Sequence, residues 1–116
     1  MLGLMQDYQL TVQTILDHAA LNHGEREMVT RSIEGPIRRY TYHDLRVRAL
    51  RVAKALQKEG VGIGDRIATM AWNTDRHVEA WYGIMGLGAI SHTVNPRLFP
   101  AQLIYIMNHA EDKILF

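Results

Sequence analysis

RIATMAWNTDRHVEAWYGIMGLGAISHTVNPRLFPAQLIYIMNHAEDKILF, residues 66–116, is the stretch that decides the fold. It holds three short apolar runs, Arg66–Trp72, Ala89–Val94 and Lys113–Phe116, each of strand length. Between the first two, Asn73 or Thr74 can cap a helix whose inner face is Val78, Trp81, Ile84 and Met85, with Gly86 and Gly88 to stop it. Between the second and third, Pro96 and Pro100 bracket a turn. Pro100 can open a helix, because its missing N–H costs nothing there, and Leu103, Ile106 and Met107 form that helix's inner face. Strand, helix, strand, helix, strand predicts a parallel sheet with right-handed crossovers. The fold class is therefore α/β.

Working outward, the most regular segment lies just upstream. Leu45, Ala49, Val52, Ala53 and Leu56 form a helical stripe that ends at Gly60. Thr41 precedes it and Asp44 follows three residues later, the spacing of a capping box. Before that, Met28–Arg31 and Ile37–Tyr42 flank Glu34-Gly35-Pro36 and predict a hairpin. Val12, Ile15, Leu16 and Ala19 predict a helix from Thr11 to about Asn22. Residues 1–10 carry little pattern and are expected to be a flexible lead-in, with residues 11–116 one α/β unit.

Composition narrows the class. The chain has 116 residues, 47% hydrophobic and 22% charged, as in an ordinary globular domain. Lys and Arg number 13 against 12 Asp and Glu, a net charge of +1 that gives no electrostatic grip on nucleic acid. Cysteine is absent, which excludes a disulfide framework, a thiolate metal site and a cysteine nucleophile among these residues. No run approaches the roughly 18 apolar residues of a membrane span, and no secretory signal pattern is present. A cytoplasmic protein is the expectation.

Few residues here advertise chemistry. Gly60-Val61-Gly62-Ile63-Gly64-Asp65 follows a helix and precedes a strand, the reverse of a phosphate-binding loop, and so predicts a turn. Asp65 and Arg66 are expected to pair locally or to shape that turn. The six histidines show no ligand spacing, and His92, within a predicted strand, is the one that stands apart. No two carboxylates share a helix face in an apolar setting. Asp44 reads as a cap and Glu111-Asp112 as a turn. Arg38, Arg39, Arg46, Arg48 and Arg51 predict a solvated face, with a partner surface or an RNA contact as the functional alternatives. Trp81 and Tyr82 read as core.

Three stretches together resemble a known family. Tyr40-Thr41-Tyr42-His43-Asp44-Leu45, with the helix and Gly62-Ile63-Gly64-Asp65-Arg66 after it, is similar to the first core motif of the acyl-adenylate-forming enzymes. These are the AMP-dependent synthetases and ligases: acyl-CoA synthetases, luciferases and peptide-synthetase adenylation domains. Gly86-Leu87-Gly88-Ala89-Ile90, with Asn73 before it, resembles the second core motif. His92-Thr93-Val94-Asn95-Pro96-Arg97-Leu98 and the run from Tyr105 to Lys113 resemble the medium- and long-chain fatty acyl-CoA ligase branch. A ligase for a short sulfur-containing acid such as methylthiopropionate resembles the same branch.

The resemblance implies the N-terminal part of a larger adenylate-forming domain. It implies ATP, Mg²⁺ and CoA as the intact enzyme's co-reactants, a fatty acid or other small carboxylate as substrate, and a possible homodimer. The family's phosphate loop, ribose-binding carboxylate and mobile lysine lie downstream of the matching region. This chain alone is then expected to hold no catalytic residue, to bind no cofactor tightly and to be inactive. Asn95 and Arg97 fall in a loop that in some relatives lies near the CoA nucleotide. Gly86 and Gly88 are expected to allow close packing of helix on strand. The run Ile114-Leu115-Phe116 suggests a fragment cut at a strand. The alternative is a free-standing, non-catalytic remnant that binds a partner through its sheet edge.

Overall fold

The computed structural model describes residues 3–116. Four helices and five strands follow in the order α1 (Val12–Asn22), β1 (Glu27–Arg31), β2 (Ile37–Thr41), α2 (Tyr42–Lys58), β3 (Arg66–Thr69), α3 (Asp75–Gly86), β4 (Ile90–Thr93), α4 (Pro100–Ala110) and β5 (Ile114–Leu115). β1 and β2 form an antiparallel hairpin in which Arg31 faces Ile37 across the loop. β4, β3 and β5 form a parallel sheet in that order, with β3 in the centre. The chain steps from β3 to β4, then crosses back to the far side of β3. Right-handed crossovers in opposite directions put α3 and α4 on opposite faces of the sheet.

The expected elements are all present, with strands shorter than their apolar runs. β3 ends at Thr69 rather than Trp72, although the Met70 N–H still reaches the Phe116 carbonyl of the neighbouring β5 segment. Of the expected lead-in, residues 1 and 2 lie outside the described residues, and residues 3–10 are exposed without helix or strand.

Local chemistry explains the boundaries of α2. Thr41 is extended, its hydroxyl accepts the Asp44 N–H, and the Asp44 carboxylate accepts the Thr41 N–H at 3.0 Å. The capping box is complete. Beyond Lys58 the chain turns through Gly60 (φ 79°) and Gly64 (φ 82°), conformations that glycine adopts without a Cβ clash. The glycine cluster is thus the helix-to-strand turn expected of it.

Two apolar clusters form the core. Leu56, Val61, Ile67, Ala80, Ile84 and Ala89 lie between α2, α3 and the sheet. Leu16, Leu45 and Ala49 join α1 to α2, with Met28 and Tyr40 of the hairpin against them. α2 and α3 pack closely because α3 carries Gly83: a Cβ there would lie 2.8 Å from Val52 Cβ and 3.0 Å from the Ala49 carbonyl oxygen. At Gly86 and Gly88, the glycines expected to permit close packing, an added Cβ would come nearest to the Gln13 amide and the Ile63 side chain.

Three face assignments need correction. Val12 and Ile15 of α1 are exposed, and Leu16 alone of that helix is buried, because α2 and α3 cover only one narrow side of it. Trp81 is 44% exposed rather than core. The buried face of α3 is instead Asp75, Glu79, Ala80, Gly83 and Ile84.

Candidate functional site

Two buried acids lie on α3. Asp75 and Glu79 are one helical turn apart and so share a face. Their side chains are 2% and 7% exposed. Buried carboxylates require partners, and each has an arginine. Arg38 of β2 stands 2.8 Å from Asp75, and Arg48 of α2 donates to Glu79. Two carboxylates therefore do share a buried helix face, contrary to expectation, and Arg38 and Arg48, expected on a solvated face, hold them while staying partly exposed. Arg46 also pairs with Asp17, and Arg39 with Glu27.

Tyr40 sits beside this network. Burial, reinforced by the negative charges of Asp75 and Glu79, pushes its phenol up to about 12. The Glu79 hydrogen bond raises Arg48 above its ordinary value. The network ties the hairpin to α2 and α3. With a guanidinium on each carboxylate, it offers no free general base.

A second cluster staples the return from α4 to β5. Arg66 donates to the Ala110 carbonyl, at the end of α4, and to Glu111 at 2.7 Å. Lys113 pairs with Asp65 at 2.8 Å, and Asp65 also accepts the Gly62 N–H. The Lys113 hydrogen bond, followed by that of Gly62, holds the Asp65 carboxyl below its usual range. Of the two expectations for Asp65 and Arg66, the turn holds, since Asp65 accepts the Gly62 N–H, while their ion-pair partners are Lys113 and Glu111 instead of each other. His92 of β4 contacts Asp112 at 2.8 Å.

Asn95 and Arg97 sit just beyond β4, both exposed. Asn95 Oδ1 accepts the Arg97 N–H at 3.0 Å, and the Leu98 N–H bonds to the Asn95 carbonyl, which makes the segment a tight Asx-type turn. The Arg97 guanidinium has no hydrogen bond or ion pair among the described residues. The turn lies at the carboxyl end of the parallel strands, the edge where open α/β sheets bind ligands. Nearby, a cavity of about 380 Å³ opens between the hairpin and α3. Met28, Val78 and Trp81 give it apolar walls, and Asn73, His77 and Thr93 line it too. His77 Nε2 lies 3.1 Å from the buried Thr69 hydroxyl.

The sequence model of a family described as AMP-binding enzyme matches residues 16–116. The chain belongs to the AMP-binding enzyme family. It is 45% identical over 116 residues to 3-methylmercaptopropionyl-CoA ligase of Ruegeria lacuscaerulensis, covering 100% of this chain and 22% of that protein. It is 44% identical over 115 residues to medium-chain-fatty-acid–CoA ligase of Ectopseudomonas oleovorans, covering 99% of this chain and 21% of the relative. The chain thus spans about a fifth of the length of these relatives. Among solved structures, a fatty acyl CoA synthetase of Mycobacterium tuberculosis superposes with a TM-score of 0.82 at 24% identity, over 90% of this chain and 20% of that one. The hairpin and the β3–β5 sheet thus share their fold with that structure.

The AMP-binding enzyme family implies Mg²⁺. Among the described residues no three His, Asp or Glu side chains converge as ligands. Asp75, Glu79 and Asp65 already hold cationic side chains. The donor set of this segment does not fit the ion. No helix among the described residues is long and apolar enough to cross a membrane.

Proposed function

We propose that the polypeptide containing these residues is a cytoplasmic fatty acyl-CoA ligase, and that this segment is part of its scaffold and catalyses neither step alone. The observation that carries this is the 44% identity to a medium-chain ligase over 99% of the chain. In the first step a carboxylate oxygen attacks the α-phosphorus of ATP and pyrophosphate leaves. In the second, the CoA sulfur attacks the acyl carbon and AMP leaves. Asn95 fixes the turn, and Arg97 offers a fork of donors to a CoA phosphate. The 45% identity to 3-methylmercaptopropionyl-CoA ligase favours a second substrate reading, a short sulfur-containing acid. A homodimer is part of the proposal.

The test is AMP release by the full-length polypeptide with octanoate or 3-methylmercaptopropionate. Turnover with octanoate at the higher kcat/KM upholds the fatty-acid reading, and the reverse order selects the sulfur-containing acid. Failure to adenylate any carboxylate sinks the ligase reading. An immunoblot separates the remaining case. A band several-fold heavier than 13.3 kDa is expected, whereas a band at 13.3 kDa means a free-standing module.

A further inference from the structure

The excursion from β4 to β5 is held mainly by its ends. It leaves the sheet after Thr93, turns at Asn95–Arg97, runs through α4 and returns at Lys113. α4 buries no residue, and its inner-face Leu103, Ile106 and Met107 are each only half-buried. Among the described residues, no element packs along α4 as α2 packs on α3. The base of the excursion is different. The Asp112 side chain is 4% exposed, and His92 lies against one of its oxygens at 2.8 Å. The other oxygen, Oδ1, is buried with no hydrogen-bond partner among the described residues. A buried carboxylate with one oxygen unmet depends heavily on the partner it has.

The route of this contact matters. β4 and β5 are not neighbours, since β3 lies between them. His92 is the register partner of Ala68, which presents only a methyl group, so the imidazole can pass over the central strand. The contact thereby joins the start of the excursion to its end. Arg66 and Lys113 do something else: Arg66 caps α4, and Lys113 ties β5 to the turn before β3.

We propose that His92 and Asp112 are positioning residues, whose contact closes the β4–α4–β5 excursion and sets the order of the Asn95–Arg97 turn. Its catalytic consequence rests on the ligase reading above, in which that turn meets CoA. Loosening the contact should weaken the thioester step and spare the adenylation step.

The test uses the full-length polypeptide. Hydrogen exchange over residues 95–110 should run about tenfold faster in His92→Leu, with α2 and α3 unchanged. His92→Asn, whose amide nitrogen can stand in for Nδ1, should keep most of the protection. Should His92→Leu not fold, Asp112→Asn supplies the same comparison with the shape retained. In the loosened variants KM for CoA should rise, while acyl-AMP formation from ATP and acid stays at the wild-type rate. Unchanged exchange in both His92→Leu and Asp112→Asn overturns the proposal. Equal loss of both half-reactions also overturns it, because that is general destabilisation. Faster exchange with KM for CoA unmoved upholds the closure and overturns the assignment of Arg97 to CoA. Arg97→Ala would then leave that KM unmoved as well.

Discussion

Arg38 shows what a single residue contributes here. Its sequence neighbours suggest a solvated basic patch, yet it neutralises a carboxylate that is 2% exposed. Removing one partner of a fully buried pair costs about 3–5 kcal/mol. Arg38 keeps 38% of its side chain in solvent, so Arg38→Met should cost less, about 2 kcal/mol by chemical denaturation. Adding Asp75→Asn should recover part of that loss, since the stranded charge is gone. Asp44 gives a pH prediction. Hydrogen bonds from the Thr41 backbone and hydroxyl hold its carboxyl below the usual range. A carboxyl lowered in the folded state adds stability above its unfolded pKa of about 3.9, and that stability is lost as pH falls through the folded value. Melting temperature should therefore drop on the acid side of about pH 4. Asp44→Asn, which keeps an acceptor without a titrating charge, should flatten that drop. The capping box is legible because Thr41 and Asp44 are three residues apart and act locally. The partner of Arg38 is not, because 37 positions separate it from Asp75.

At the scale of elements, the meeting of α2 and α3 turns on Gly83. A methyl group there has no free space against Val52 and the Ala49 carbonyl. Gly83→Ala should destabilise by about 1–3 kcal/mol, despite the better helix propensity of alanine. Gly86→Ala should cost far less, because its methyl group would meet only the movable end of Gln13. Equal losses in denaturant midpoint would refute this account of the packing. The sequence directed attention to Gly86 and Gly88, which sit at a helix stop, and passed over Gly83 inside the helix. Periodicity finds the stripe on a helix but not the place where another helix crosses it. The same limit explains Trp81, an apolar residue at helical spacing that lines a cavity rather than the core. Asp75 and Glu79 take the buried face because Arg38 and Arg48 reach them there.

For the whole molecule, cover is uneven. One side of the sheet is sealed by α3 and, behind it, α2. The other has α4, whose Ile104 and Tyr105 are 58% and 67% exposed, with Phe99 before it at 78%. β4 and β5 are open edges of the sheet. Parallel sheets are stable when both faces are covered, and unpaired edges invite association. The isolated 116-residue chain should therefore self-associate at micromolar concentration, read by sedimentation velocity. A single species near 13.3 kDa would contradict this reading of the α4 face.

The sequence by itself determined the α/β class, the element order, the capped start of α2, the glycine turn before β3 and the family, all carried by local spacing or short motifs. Tertiary structure alone decided which acids are buried, which arginines hold them, and that His92 reaches Asp112 across a central strand. It also decided that Asp65 and Arg66 part company. The physical reason is the same throughout. Burial of a charge depends on a partner distant in the chain, and only the crossing of elements brings that partner within reach.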